Sequence, residues 1–146
     1  MKTVLFLCTG NYYRSRFAEI FFNWHARQRD LDWKADSRGL DLDPFNPGFM
    51  SCFTVERLKN HGIDFEAYQR LPMDLTDKDL SSADHVVAVK EAEHRPLLQR
   101  RFPTSLERVE FWNVHDIDRA LPDFAMPQLE REVLELMERL AAGTLL

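Results

Sequence analysis

Cysteine is scarce in this chain: Cys8 and Cys52 are the two among 146 residues, too few for a disulfide-stapled fold. Metal-ligand spacing is missing as well. His25, His61, His85, His94 and His115 are scattered, with no CxxC, HxxxH or HExxH pattern, so no structural metal and no cofactor is expected. A basic excess is also absent. Nineteen Lys and Arg stand against 24 Asp and Glu, for a net charge of −5, which argues against a nucleic-acid partner. The densest cationic spot, Arg95 to Arg101, is followed by Glu107 and Glu110 and reads as a solvated helix face. No apolar run approaches the length of a bilayer span, and VLFLC is too short for a signal-peptide core. These readings give an expectation of a cytoplasmic protein with no membrane partner. Repeats, low-complexity tracts and interdomain linkers are likewise lacking.

What is present is ordinary for a folded chain: 45% hydrophobic, 12% aromatic and 29% charged residues. The length predicts one domain, residues 1–146, with a core of its own. Thr3 to Cys8 is an apolar run suited to a strand buried on both faces. Phe17, Ile20, Phe21 and Trp24 then recur at helical spacing, in a helix ending near Asp30. Ala35 to Leu40 reads as a short strand, and Met50 to His61 as a helix closed by Gly62. A short helical turn precedes the next strand, His85 to Val89. Glu91 to Arg101 is expected to be helical if Pro96 falls in its first turn. Val109 to Val114 is a further strand. After the loop HDIDRALPDFAM, a helix carries Leu129, Val133, Leu136, Met137 and Leu140, with Pro127 just inside its start and Gly143 at its close. Strands alternating with helices over short connections predict an α/β fold with a parallel sheet covered on both faces.

One stretch is not explained by packing. CTGNYYRS joins the first strand to the first helix, and a plain connector has no use for Cys8 or Arg14. In such folds ligands bind outside the carboxyl ends of the strands, where Cys8 ends the first one. The helix N-terminus that follows offers unpaired N–H groups and a positive dipole end. Gly10 and Asn11 allow the chain to curl so that successive amides from Thr9 to Tyr13 point inward as an anion-binding nest. Arg14 adds a planar, charged fork for phosphate-type oxygens. Such a field favours thiolate over thiol, and a hydroxyl from Ser15 can donate to the sulfur. One loop would then bind a tetrahedral oxyanion and aim a nucleophile at its central atom, which suits phosphoryl transfer through sulfur.

On these residues the sequence resembles the low-molecular-weight protein tyrosine phosphatase family. VLFLCTGNYYRSRFAE is similar to its N-terminal signature of strand, C-x-G-N-x-x-R-S loop and helix. Weaker likeness follows in ADSRGL, LKNHGIDF, SSADHVVAV and FWNVHDID. The resemblance implies a three-layer domain with a four-stranded parallel sheet in the order 2-1-3-4. It also implies cofactor-free hydrolysis of aryl phosphates, typically phosphotyrosine in a protein, or a small aryl phosphate. Phosphate and vanadate are the inhibitors this implies. By position, Cys8 is the nucleophile, Arg14 binds phosphate and transition state, Asn11 holds the loop shape and Ser15 assists the thiolate.

The reaction also needs a carboxyl that protonates the leaving phenolate and then activates water. The family places it in an Asp-Pro pair. Asp116 stands there, followed by Ile117 instead of proline; Asp118 is second choice and Asp123 a distant third. Tyr13 occupies the position of a second cysteine common in the family, so that local redox switch is expected to be absent. Cys52 is assigned to a helix packing face. Arg16 replaces a common proline and is expected to add positive charge near the mouth, while AVKEAEH departs from the family's Met-Asp helix start with an effect expected on packing rather than chemistry. Tyr12 and Phe45 are candidate walls of an aryl slot. Thiol-dependent arsenate reductase is a rival, but Val86 to Phe102 holds no cysteine to resolve a disulfide. A phosphate-binding or regulatory module with weak turnover is another.

Overall fold

The computed structural model describes residues 1–143. Four parallel strands, β1 (Lys2–Cys8), β2 (Trp33–Gly39), β3 (His85–Ala88) and β4 (Val109–Phe111), form one sheet in the order β2-β1-β3-β4. Their connections carry α1 (Arg14–Gln28), α2 (Cys52–Asn60), α3 (Asp77–Ser82) and α4 (Glu91–Arg101), with α5 (Pro122–Ala141) last. Parallel neighbours need such crossovers, and each crossover helix covers a face of the sheet.

Alternation along β1 decides which core each side chain joins. Val4, Phe6 and Cys8 face α1 and α5, whose Phe17, Ile20, Val133 and Leu136 complete one cluster. Leu5 and Leu7 face the other way, onto Leu80, Leu98 and Phe102 beneath α3 and α4. Because β1 is central and buried on both faces, its C-terminal residue Cys8 is fixed by both layers. The pairing Cys8↔Gly39 sets the end of β2 beside it.

Two proline readings need correction. Pro96 lies in the second turn of α4, not the first. Helix α5 starts at Pro122, which takes the first-turn position expected of Pro127, so the last five residues of the presumed loop HDIDRALPDFAM are helical. Proline at either site of a segment satisfies the same local rule, and only packing chooses between them. Asp123 accordingly sits in the first turn of α5, next to the helix's positive end. Gly62 and Gly143 close α2 and α5 with φ of 69° and 72°. Among the described residues no helix is long and apolar enough to cross a membrane.

Candidate active site

The turn after β1 wraps a cavity of about 350 Å³ whose lining includes Cys8, Thr9, Gly10, Tyr12, Tyr13 and Arg14. Its curl depends on Asn11, which has a φ of 49° and is fully buried. The left-handed residue is thus Asn11 alone. Gly10 keeps a negative φ, and a Cβ there would meet Asn46 and Tyr12 only at ordinary distances of 3.6 and 3.8 Å. Gly39 is the glycine the turn requires: a Cβ would stand 2.5 Å from Leu42, 2.9 Å from the Thr9 carbonyl and 3.0 Å from Asn11. That close approach is what the Ser-x-Gly end of β2 provides.

Asn11 is pinned on both sides of its amide. Its Oδ1 accepts from Arg70 Nη1 and Met73 N, each at 3.0 Å. Its Nδ2 donates to Ser15 Oγ and Ser37 Oγ, each at 2.9 Å. Ser15 Oγ in turn lies 2.9 Å from Cys8 Sγ. Cys8 is 2% exposed, at the floor of the cavity.

Arg14 is also almost fully buried. Its Nη1 donates to the Val114 carbonyl at 3.0 Å and its Nη2 to Glu93 Oε2 at 2.7 Å. Asp116 Oδ2 approaches Nη2 at 3.5 Å from the opposite rim. The Nε is buried without a partner, which leaves one strong donor of the fork unspent.

Glu93 is the residue that sequence reasoning missed. AVKEAEH does more than repack: Glu93 also accepts from Thr9 Oγ1, and its Oε2 lies 3.1 Å from the Nε2 of buried His94. Burial opposes ionisation of Glu93, but the hydrogen bonds from His94, Arg14 and Thr9 and the Arg14 charge outweigh it. Its carboxyl is held well below the ordinary carboxylate range. Burial also holds His94 below the usual imidazole value, and its Nδ1 accepts from Lys90 N. The available signal was weak: an acid in the first turn of the helix after the second central strand.

The remaining sequence-derived candidates divide. Asp116 lines the cavity with its neighbour Ile117; Asp118 and Asp123 do not. Tyr12 lines it, with its hydroxyl donating 2.6 Å to the Pro47 carbonyl. Tyr13 packs edge-on against Phe53, and burial, aided by Asp116 and opposed by Arg14, pushes its phenol up to about 12. Phe45 is 89% exposed and lines no part of the cavity; the aromatic wall comes from Phe53 instead. Arg16 contradicts expectation: it is fully buried behind the turn, donating to Glu19 and to the Tyr68 carbonyl, so it brings no charge to the mouth. Cys52 is exposed at the start of α2 rather than packed. Among the described residues no three His, Cys, Asp or Glu side chains gather as a metal ion would require.

A buried sulfur beneath an arginine with a free N–H, facing a carboxylate, can hold a tetrahedral anion and exchange a proton beside it. The chain is also similar to known proteins along most of its length. A family model described as low molecular weight phosphotyrosine protein phosphatase matches residues 3–141. An arsenate reductase of Bacillus subtilis is 33% identical over 122 residues, covering 82% of this chain and 76% of that protein. The low molecular weight protein-tyrosine-phosphatase YfkJ of the same species is 34% identical over 95 residues, 61% of this chain and 56% of its own. The solved structure of a low molecular weight protein tyrosine phosphatase from T. tengcongensis matches at 28% identity with a TM-score of 0.77, covering 98% of this chain and 99% of that one.

Proposed function

The chain belongs to the low molecular weight phosphotyrosine protein phosphatase family, and from that membership we propose that it hydrolyses phosphotyrosine or related aryl phosphate monoesters within a single domain, residues 1–146. The observation that carries the reading is the cavity floor. Cys8 Sγ lies 2.9 Å from a serine hydroxyl, beside an arginine whose buried Nε has no partner. Inward amides of Thr9 to Tyr13 and the Arg14 fork receive the phosphoryl oxygens.

In the first step the Cys8 thiolate attacks phosphorus and the P–O bond to the aryl group breaks. Asp116 gives its proton to the departing phenolate oxygen. In the second step water attacks the cysteinyl phosphate, its proton passes to the Asp116 carboxylate, and the P–S bond breaks. Inorganic phosphate leaves, and thiolate and protonated acid are restored. Tyr12 and Phe53 flank the aryl ring. No metal or cofactor takes part in any of these steps, and phosphate or vanadate competes for the cradle.

Relatives named arsenate reductase supply a second reading. Reduction of arsenate needs further thiols to carry the disulfide away. Beyond Cys8 this chain has Cys52, at the exposed start of α2. That count favours hydrolysis. The deciding experiment measures turnover of a phosphotyrosine peptide, a phosphoserine peptide, and arsenate with an external dithiol. Metal-free hydrolysis of the first, lost in Cys8→Ser, is expected; arsenate reduction without aryl phosphate hydrolysis would reverse the assignment.

A further inference from the structure

The cavity has a cradle for an anion, yet its walls carry the opposite of the charge an anion needs. Among the described residues its lining sets three carboxylates, Asp41, Asp43 and Asp116, against a single cation, Arg14. That cation is already paired with Glu93 at 2.7 Å. Arg16 brings no relief, because it is buried behind the turn. The space is nonetheless shaped for a ligand. Arg14 Nε and Tyr13 Oη are buried without partners, on side chains that line it and are 2% and 7% exposed.

The acidic wall is the loop from Asp41 to Phe49, fastened along its length to the cradle. Asp41 N donates to the Thr9 carbonyl at 2.9 Å, Tyr12 Oη to the Pro47 carbonyl at 2.6 Å, and Ser51 N to the Tyr12 carbonyl at 2.8 Å. From Gly39 to Glu56 the sequence holds no Lys or Arg. The bordering arginines are spent elsewhere, Arg38 on Asp79 and Arg57 on Glu130. Asp41 and Asp43 are both exposed. Phe45, whose N–H is accepted by Asp43 Oδ1 at 2.9 Å, is 89% exposed on the same loop.

Neither chemical step uses Asp41, Asp43 or Phe45. Two carboxylates at the mouth repel an incoming phosphate dianion, and a substrate with its own cation beside the phosphate turns that repulsion into attraction. An exposed aromatic face adds to the hold on such a cation. We propose that this loop selects substrates in which a basic residue flanks the phosphotyrosine, with Asp41 and Asp43 pairing with its charge and Phe45 lying along its side chain. The inference rests on the phosphotyrosine reading of the site and adds the chemistry of the flanking residues to it.

The test compares phosphotyrosine peptides that differ only in the residues on either side, which are lysine, alanine or glutamate. At low salt the native protein should prefer the lysine peptide in kcat/KM about threefold over alanine and about tenfold over glutamate, the scale of two exposed ion pairs. The preference over glutamate should shrink to about threefold at about 0.3 M NaCl. Asp41→Asn and Asp43→Asn together remove the charge while keeping an oxygen for Phe45 N, and should bring it below about threefold at low salt. Phe45→Ala should weaken the preference over alanine about twofold, and Glu138→Gln, at the distant pair with Arg29, should leave both ratios unchanged. Equal rates for the lysine and alanine peptides, or ratios unmoved in the double Asn variant, would overturn the inference and leave the phosphatase reading intact. If no peptide is hydrolysed, the phosphatase reading falls, and fluorescence anisotropy of the same peptides on Cys8→Ser protein decides the inference alone. Tighter binding of the lysine peptide by the same factors would uphold it; equal binding, or none, would overturn it.

Discussion

The turn from Thr9 to Tyr13 and the loop from His115 to Ala120 face each other across the cavity, and they hold their polar groups in opposite ways. In the turn, the Thr9 carbonyl accepts from Leu40 N and Asp41 N, the Tyr12 carbonyl from Ser51 N, and the Tyr13 carbonyl from Thr54 Oγ1. Asn11 spends its amide on four partners from three other segments. The acid loop bonds mainly to itself. Asp116 Oδ1 accepts from Ile117 N at 2.8 Å, and the Asp116 carbonyl from Arg119 N and Ala120 N. Its link to the cradle is the 3.5 Å approach to Arg14, and His115 Nδ1 is buried without a partner. A turn tied to its surroundings is preorganised for a charged transition state. A loop tied to itself places its acid less firmly.

The contrast fixes the order of expected effects. Cys8→Ser removes the group the cradle was built around, and hydrolysis of p-nitrophenyl phosphate should fall by at least about 10³-fold. Glu93→Gln frees one arm of Arg14 and should lower kcat/KM about ten- to a hundredfold, with the Cys8 alkylation rate little changed. Glu93 also gives the cradle a pH signature. Its carboxyl is depressed in the fold, so its stabilisation is complete above the ordinary value of 4.5 and is lost as the pH falls below it toward the depressed one. Thermal melts of native and Glu93→Gln protein should therefore differ most near neutrality and converge in acid.

On the other rim, Asp116→Asn should cost about 10²-fold with phosphotyrosine peptide but less than about tenfold with a highly activated phenol, which hardly needs protonation. Asp118→Asn should leave both rates near native. If the pattern appears in Asp118→Asn instead, the acid is misassigned. Gly39→Ala presses a methyl onto the Thr9 carbonyl and should destabilise the fold by about 1–3 kcal/mol in urea titration. The smallest effect is expected from Ile117→Pro. Proline removes the N–H that occupies Asp116 Oδ1 and restricts the residue before it, so turnover of poor leaving groups should rise about two- to threefold. A large loss would mean that the self-bonded loop is itself the working geometry.

Legibility from sequence followed the same divide. The strands, the helices and the turn that carries Cys8, Arg14 and Ser15 were readable because their signals are local: an apolar run, a turn with Gly10 and Asn11, a helix start; the strand order was implied by the family resemblance. What was not readable depends on side chains meeting over long separations. Glu93 reaches Arg14 across 79 positions, and Arg70 reaches Asn11 across 59. Arg16 looked like a mouth charge because helix phase alone does not say that Glu19 and the Tyr68 carbonyl wait behind it. Phe45 and Phe53 are equally aromatic, and only the path of the loop decides which one faces the cavity. Pro96 and Pro127 were misjudged for a related reason, since tertiary packing carries a helix through a residue that local preference would put at its start.

In the proposed reaction Cys8 carries the phosphoryl group between the two steps. That role is tested most directly by mixing native protein with excess phosphotyrosine peptide, stopping turnover with a rapid denaturing quench, and mapping the phosphorylated residue by mass spectrometry. Phosphate is expected on the Cys8 peptide, accumulating further in Asp116→Asn with an activated aryl phosphate and absent in Cys8→Ser. Turnover that proceeds with no phosphate on Cys8, or with the group on another side chain, would contradict that role.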